Sequence, residues 1–332
     1  MGFENAKAKN AAGSILIRVA ISIVLLGWLL YKTDRQDLGR AFLHVNWAML
    51  GLALVVTYVS VALMTARWHA ALAAMGARMG YLGLLQSNMV GLFFNLFTPT
   101  NVGQDAARVI DFKTGAKSTA TGVASVMIDR LLGMLGMLIF AVVAFPFAAG
   151  RLHDVSVIKL AVGVTSASIL IALGLLWSPA GRPVGRLATR FMPEKVKKGL
   201  RKCYDMTSQM TGRPTPLALS FGLALAFQLL VIITNYMVAQ AVGVSVSLST
   251  LMLVVPLALI VASIPISVNG VGLREWAYVN LWGAFGVSRE QAIVCSLMFF
   301  ALWVVMGLTG MIVYLTRRRI LHAIPAQDPA AV

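Results

Sequence analysis

The sequence predicts an all-α polytopic membrane protein, with about six full transmembrane helices plus two re-entrant helical hairpins in an inverted-repeat arrangement. Eight full spans are the alternative. Three observations carry this reading. The 332 residues are 59% hydrophobic and only 12% charged, with a mean hydropathy of +0.82. The basic residues gather in the gaps between apolar runs. Two apolar runs, in corresponding places of the two halves, are interrupted by proline, glycine and arginine.

Soluble domains carry about 25% charged residues, so the composition points to lipid as the solvent. A formal net charge of +16 would suggest nucleic acid in a soluble protein. Here no soluble module is left to present such a surface, so the basic residues read as topology signals and no nucleic-acid partner is expected. Cys203 and Cys295 build neither a metal spacing nor a disulfide framework, and the four histidines are scattered. There is no GxxxxGK[ST] and no visible nucleophile–base pair. No cofactor, no metal and no enzymatic activity are expected.

A hydrocarbon core of about 30 Å needs roughly 20 apolar residues per helix. Apolar runs occupy 14–31, 47–66, 82–98, 119–148, 156–177, 216–240, 249–266, 276–286 and 291–315. The first follows Lys7 and Lys9 and leads into "YKTDRQD" without a small-residue cleavage site, so it is expected to be a retained span. Positive charge marks the cytoplasmic side, which places both termini and the basic loop 178–214 inside. Five crossings before that loop would put it outside. Parity is restored if 82–113 forms a hairpin that returns to its own side, and likewise 249–286. The expected organisation is a first half at 1–177, the cytoplasmic loop 178–214, a second half at 215–319 and a short cytoplasmic tail at 320–332.

The two broken segments resemble each other. "NLFTPTNVGQDAARVIDF" (95–112) and "SIPISVNGVGLREWAYVN" (263–280) each join an apolar arm, a proline, an Asn-containing glycine turn and an arginine. Pro99 precedes Arg108 by nine positions, as Pro265 precedes Arg274. Interrupted segments in matching positions point to a transporter's binding site. Proline ends the incoming helix and glycine reverses the chain, so Pro99, Gly103, Pro265, Gly270 and Gly272 are expected to shape the hairpins. The next helix then starts with its N–H groups facing inward, an end suited to anions.

Arg108, Arg130 and Arg274 are the expected contacts to a charged head group, with Asn101 and Asn269 beside them. Asp105, Asp129 and Glu275 are expected to hold these arginines or to exchange a proton. Each pair has a blander reading. Arg274–Glu275 also reads as an internal staple, Asp105–Arg108 as a local surface pair, and Asp129–Arg130 as an interfacial pair on a helix beginning near Leu131. Arg67–Trp68–His69 reads as an interfacial anchor, and Gly133/Gly136 and Gly307/Gly310 as close helix packing.

Taken together, "NLFTPTNVGQDAARV", "ASVMIDRLLGMLGM" and "SIPISVNGVGLREWAYV" resemble the flippase-like integral-membrane family named after the transmembrane region of lysylphosphatidylglycerol synthases. Asn95, Pro99, Gly103, Asp105 and Arg108 fit its first motif, whereas Thr100 and Gln104 replace glycines. Asp129–Arg130 stands where the family has an acid followed by arginine. Pro265, Ser267, Gly270, Gly272, Arg274 and Glu275 fit the second motif, with Val268–Asn269 in place of Pro-Gly. The resemblance implies a stand-alone member without the aminoacyl-transfer domain. It also implies a bacterial inner-membrane protein that moves lipids between leaflets.

The expected function is a flippase for an anionic or phosphate-containing lipid, whose head group and the surrounding membrane lipids are its partners. The alternative is a non-transporting scaffold or regulator of a lipid- or glycan-modifying enzyme. A homo-oligomer or an enzyme partner stays open.

Overall fold

The computed structural model describes residues 35–77, 79–98, 102–114, 119–149, 214–263 and 267–323, single positions between 20 and 33, and position 163. Its helices are α1 (Arg35–Leu43), α2 (Trp47–Ala74), α3 (Tyr81–Phe97), α4 (Val102–Thr114), α5 (Thr119–Ala149), α6 (Pro214–Ala241), α7 (Leu248–Ala262), α8 (Leu273–Gly283) and α9 (Arg289–Ala323). The expected span at 156–177 and the basic loop lie outside the described residues, apart from position 163 and Pro214. Positions 20 to 31 that are described are helical and fall within the first expected span.

Four helices are long and apolar enough to cross a membrane: Trp47–Ala74, Thr121–Phe147, Thr215–Ala241 and Arg289–Arg317. They cover the expected spans at 47–66, 119–148, 216–240 and 291–315. Their outer faces keep large apolar side chains exposed, such as Leu52, Val55, Val143 and Ile312 at 53–59%. Water would penalise such faces, whereas lipid accepts them. The chain is a polytopic all-α membrane protein.

Local signals set the helix ends. Asn46 accepts the Met49 N–H ahead of α2, and Ser247 accepts the Thr250 N–H ahead of α7. Helices α2 and α6 stop in the same way. Gly76 and Gly243 take positive φ, and the N–H groups of Ala77 and Val244 reach back to Leu72 and Ala239, both at 2.9 Å. This is the Schellman closure of a helix on glycine.

That shared ending belongs to a larger repeat. If α2, α3, α4 and α5 are exchanged with α6, α7, α8 and α9, the principal packing pattern maps onto itself. Helix α2 packs on α6, α3 on α9, and α7 on α5. Ser220, near the start of α6, donates to the carbonyl of Arg67, near the end of α2, at 3.0 Å. The Asn46 N–H at the start of α2 donates to Ala241 at the end of α6, at 2.8 Å. The two exchanged helices are therefore antiparallel, so the axis relating the halves runs across them. That is the geometry of an inverted repeat.

Hairpin A (α3–α4) returns to the end of the bundle where it starts. Phe112, late in α4, packs with Leu84, Ala77 and Leu72, and Asp111 pairs with Arg317 of α9 at 2.6 Å. Hairpin B (α7–α8) starts after α6 and leads into α9 at the opposite end. Helices of 17, 13, 15 and 11 residues are roughly 25, 20, 22 and 16 Å long, all short of a core of about 30 Å.

Helix α3 lies against α9 where the latter has no side chains. A Cβ on Gly310 would sit 2.0 Å from the Met89 carbonyl oxygen, and one on Gly307 2.6 Å from Leu96. Gly310→Ala is expected to destabilise the purified protein by about 1–3 kcal/mol. Gly222→Ala, whose Cβ meets nothing within 4 Å, is expected to be neutral or to stabilise by up to about 1 kcal/mol. Unfolding midpoints in one neutral detergent check both.

Candidate functional site

The centre of the first half is a buried charge cluster assembled from four helices. Asp129 of α5 accepts from Arg67 Nε at 2.6 Å and Nη2 at 3.0 Å, and from Arg108 Nη1 at 2.8 Å. Arg108 Nε donates to Asn88 Oδ1, and Asn88 Nδ2 donates to Thr65 Oγ1 at 2.8 Å. The Arg108 guanidinium lies over the Trp68 ring and that of Arg67 over Phe227, at 5.0 and 5.2 Å. Asp129, Arg108 and Arg67 are 2%, 2% and 5% exposed. Two guanidiniums share one carboxylate, which leaves this cluster with one surplus positive charge. Beside it, Arg130 Nε meets Asp105 Oδ2 at 3.0 Å in a half-buried pair.

Asp105 therefore does not hold Arg108. Their i, i+3 spacing permits that contact, but Arg108 points into the interior while Asp105 faces the next helix. Each acid takes an arginine from across the α4–α5 packing. Asp129 is ten residues into a helix that begins at Thr119, not at the start of one near Leu131. Arg67 and Trp68 also depart from the anchor reading: both are buried, and only His69 of that trio is exposed, edge-on to Tyr81.

In the second half, Arg274 at the start of α8 donates to Glu275 Oε1 from Nη2 at 2.5 Å, and to Ser296 Oγ from Nε at 3.0 Å. Its guanidinium lies 4.4 Å over the Phe300 ring. Glu275 Oε2 accepts the Gly272 N–H at 2.6 Å, so a carboxylate of the chain itself occupies the positive end of α8. Ser296 stands beside Arg274 much as Asp129 stands beside Arg108. With Glu275 already on the hairpin, this half needs no acid on the following helix and its charges balance. One turn deeper, the Tyr278 hydroxyl donates to Asn235 Oδ1.

The hairpin tips meet. Asn95, near the end of α3, contacts Asn269 between α7 and α8, Nδ2 to Oδ1 at 3.4 Å. Asn269 has φ +49°, and Gly270 and Gly272 have +75° and +85°, so three left-handed residues turn tip B. The Val268 N–H at that tip donates to Ser22 at 2.9 Å. In hairpin A, a Cβ on Gly103 would sit 2.5 Å from Thr98 Oγ1, which only glycine permits. Gln104 lies against Gly91 and points its amide to Met64. Pro99, Asn101 and Pro265 lie outside the described residues. The structure thus brings Arg108, Asp129, Arg130 and Asp105 into one neighbourhood, holds Arg274 with Glu275 separately, and places Asn269 between the hairpins. Sequence reasoning missed Arg67, Asn88, Ser296 and Gln228. The signal for Asn88 and Gln228 was an amide within an apolar run, where an unpaired polar group is costly.

Buried arginine–carboxylate pairs beside paired helical hairpins define a class of multi-span membrane protein built from two exchanged halves. The chain belongs to the family described as the lysylphosphatidylglycerol synthase TM region, whose model matches residues 15–310. It is 21% identical to a UPF0104 membrane protein of Pyrococcus horikoshii, over 92% of this chain and 96% of that protein. It is 24% identical to a UPF0104 membrane protein of Methanothermobacter thermautotrophicus, over 83% and 86%.

Removing the shared carboxylate should expose the difference between the two arginine pairs. Asp129→Asn strands two buried guanidiniums and is expected to cost about 3–5 kcal/mol. Asp105→Asn, in the half-buried pair, is expected to cost about 1 kcal/mol or less. Denaturant unfolding in detergent, followed by tryptophan fluorescence, measures both.

Proposed function

We propose that the protein is a flippase that moves an anionic or phosphate-containing lipid between membrane leaflets. The observation that carries this reading is the tip-to-tip contact of two hairpins entering from opposite ends of the bundle, next to a buried cluster with surplus positive charge. In a bilayer such hairpins are re-entrant, and their meeting point separates the two aqueous sides. A head group would cross there while its acyl chains stay in lipid. Each hairpin closes one side, which is the division of labour alternating access requires.

The half-buried Arg130–Asp105 pair meets the head group first, and Arg108 lies behind it. Arg274 and Glu275 hold the start of α8 in shape. The end of the bundle where α2 and α4 finish and α3 begins faces the cytoplasm in this reading, because the sequence just beyond those helix ends is basic, with Arg78 and Lys117. Segments 44–46, 242–247 and 284–288 at the other end carry no Lys, Arg, Asp or Glu. In a bacterial cell the protein would reside in the inner membrane.

Leaflet exchange of head-group-labelled lipids in liposomes tests the proposal. Wild-type protein should exchange phosphate-bearing anionic lipid faster than neutral glycolipid. Arg130→Gln, at a position exposed enough to leave the fold intact, should slow that exchange roughly tenfold, as losing one charged hydrogen bond implies. Equal exchange of both lipids, or no effect of the variant, would contradict it.

A further inference from the structure

We infer that Arg67 and Gln228 form a binding site for an oxyanion that carries a hydroxyl group, lying between α2, α5 and α6 and so spanning both halves. Three polar atoms point to it. Arg67 Nη1 has no hydrogen-bond partner among the described residues, and neither do Oε1 and Nε2 of Gln228, a residue only 1% exposed. Both side chains reach the same bare strip of α5. Arg67 Nη1 is 3.1 Å from the place a Gly133 Cβ would take, and Gln228 Cβ is 3.9 Å from that of Gly136. Residues three apart share a helix face, so the Arg67 guanidinium and the root of the Gln228 side chain lie within about one turn of each other along it.

A buried amide with both atoms unpaired is destabilising unless something binds it. The chemistry of the missing partner follows from the three atoms. A guanidinium edge in a cluster holding surplus positive charge selects an oxyanion. Gln228 Nε2 donates to a second oxygen of that group, while Gln228 Oε1 accepts from a hydroxyl. A phosphate next to an alcohol meets all three demands, whether it belongs to a polyol phospholipid head group or to free phosphate in its protonated form. The second half offers nothing equivalent at Arg274, whose guanidinium is engaged by Glu275, Ser296 and Phe300. The site adjoins the first half's cluster, and its assignment to a lipid rests on the flippase reading.

The test uses the full chain in a neutral detergent, with the unfolding midpoint followed as phosphatidylglycerol, phosphatidylmethanol or inorganic phosphate is added. Phosphatidylglycerol is expected to stabilise the wild type. Gln228→Leu, similar in volume and without the amide, should weaken the apparent affinity roughly tenfold while its ligand-free midpoint stays level or rises. Arg67→Lys, which keeps the charge but loses the fork, should weaken it as well. A Gln228-dependent shift saturated by inorganic phosphate alone would keep the oxyanion site and assign it to the free anion. Phosphatidylmethanol, a phosphodiester with no hydroxyl, acting as strongly as phosphatidylglycerol would overturn the hydroxyl contact. An affinity untouched by Gln228→Leu would overturn the site. Lipid-dependent stabilisation without leaflet exchange would sink the flippase reading and leave this site standing.

Discussion

Everything in this fold answers to one constraint: a helix broken inside an apolar bundle must find partners for the backbone groups it releases. The chain breaks two helices, after Phe97 and after Ala262, and meets the demand with its own polar groups. Glu275 takes the Gly272 N–H, Ser22 takes that of Val268, and Asn95 and Asn269 close the space between the tips. Arginines can be buried beside these breaks because each finds a carboxylate, an amide or an aromatic face within reach. In hydrocarbon an unpaired group would be far more costly than in water, so the hairpins and the charge clusters stand or fall together.

The same constraint explains why the halves trade partners. A lone hairpin cannot cover both of its arms. Helix α3 lies on α9 from the other half and α7 on α5, so each half supplies the wall against which the other's hairpin is seated. Gly307 and Gly310 bring α9 to the backbone of α3, and Gly136 brings α5 within 3.3 Å of the Ala224 carbonyl, measured from an added Cβ. The two halves share architecture but differ in charge. Arg274 carries its acid on its own helix, whereas Arg67 and Arg108 share an acid supplied by α5. The exchange of halves thus leaves two unequal polar centres, of which the first has positive charge to spare.

Much of this was readable in the residues. Apolar length marked the four long helices, because span length is dictated by the bilayer rather than by tertiary contacts. Asparagine and glycine marked the turn of hairpin B, where Asn269, Gly270 and Gly272 take positive φ. The charged residues themselves stood out against an apolar background. Their pairing did not. Arg108 and Asp105 are spaced to touch, yet a guanidinium reaches far enough to choose Asp129 across a helix interface, and sequence distance says nothing of that choice. Arg67 has the flanking Trp68 and His69 of an interfacial anchor, and only the packing of α2 against α5 and α6 turns it inward. Asn88, Gln228 and Ser296 are neutral and unremarkable in type, so their significance rests on burial alone.

The central claim is that the hairpin tips meet as a closure between the two sides, and holding them together tests it directly. Asn95→Cys and Asn269→Cys would be combined in a Cys203→Ser, Cys295→Ser background, joined with a short reducible bifunctional thiol reagent, and assayed for leaflet exchange. Efficient cross-linking that stops exchange, with activity restored on reduction, is the predicted result. Failure of the two cysteines to be bridged, or exchange that continues unchanged with the tips joined, would contradict the account.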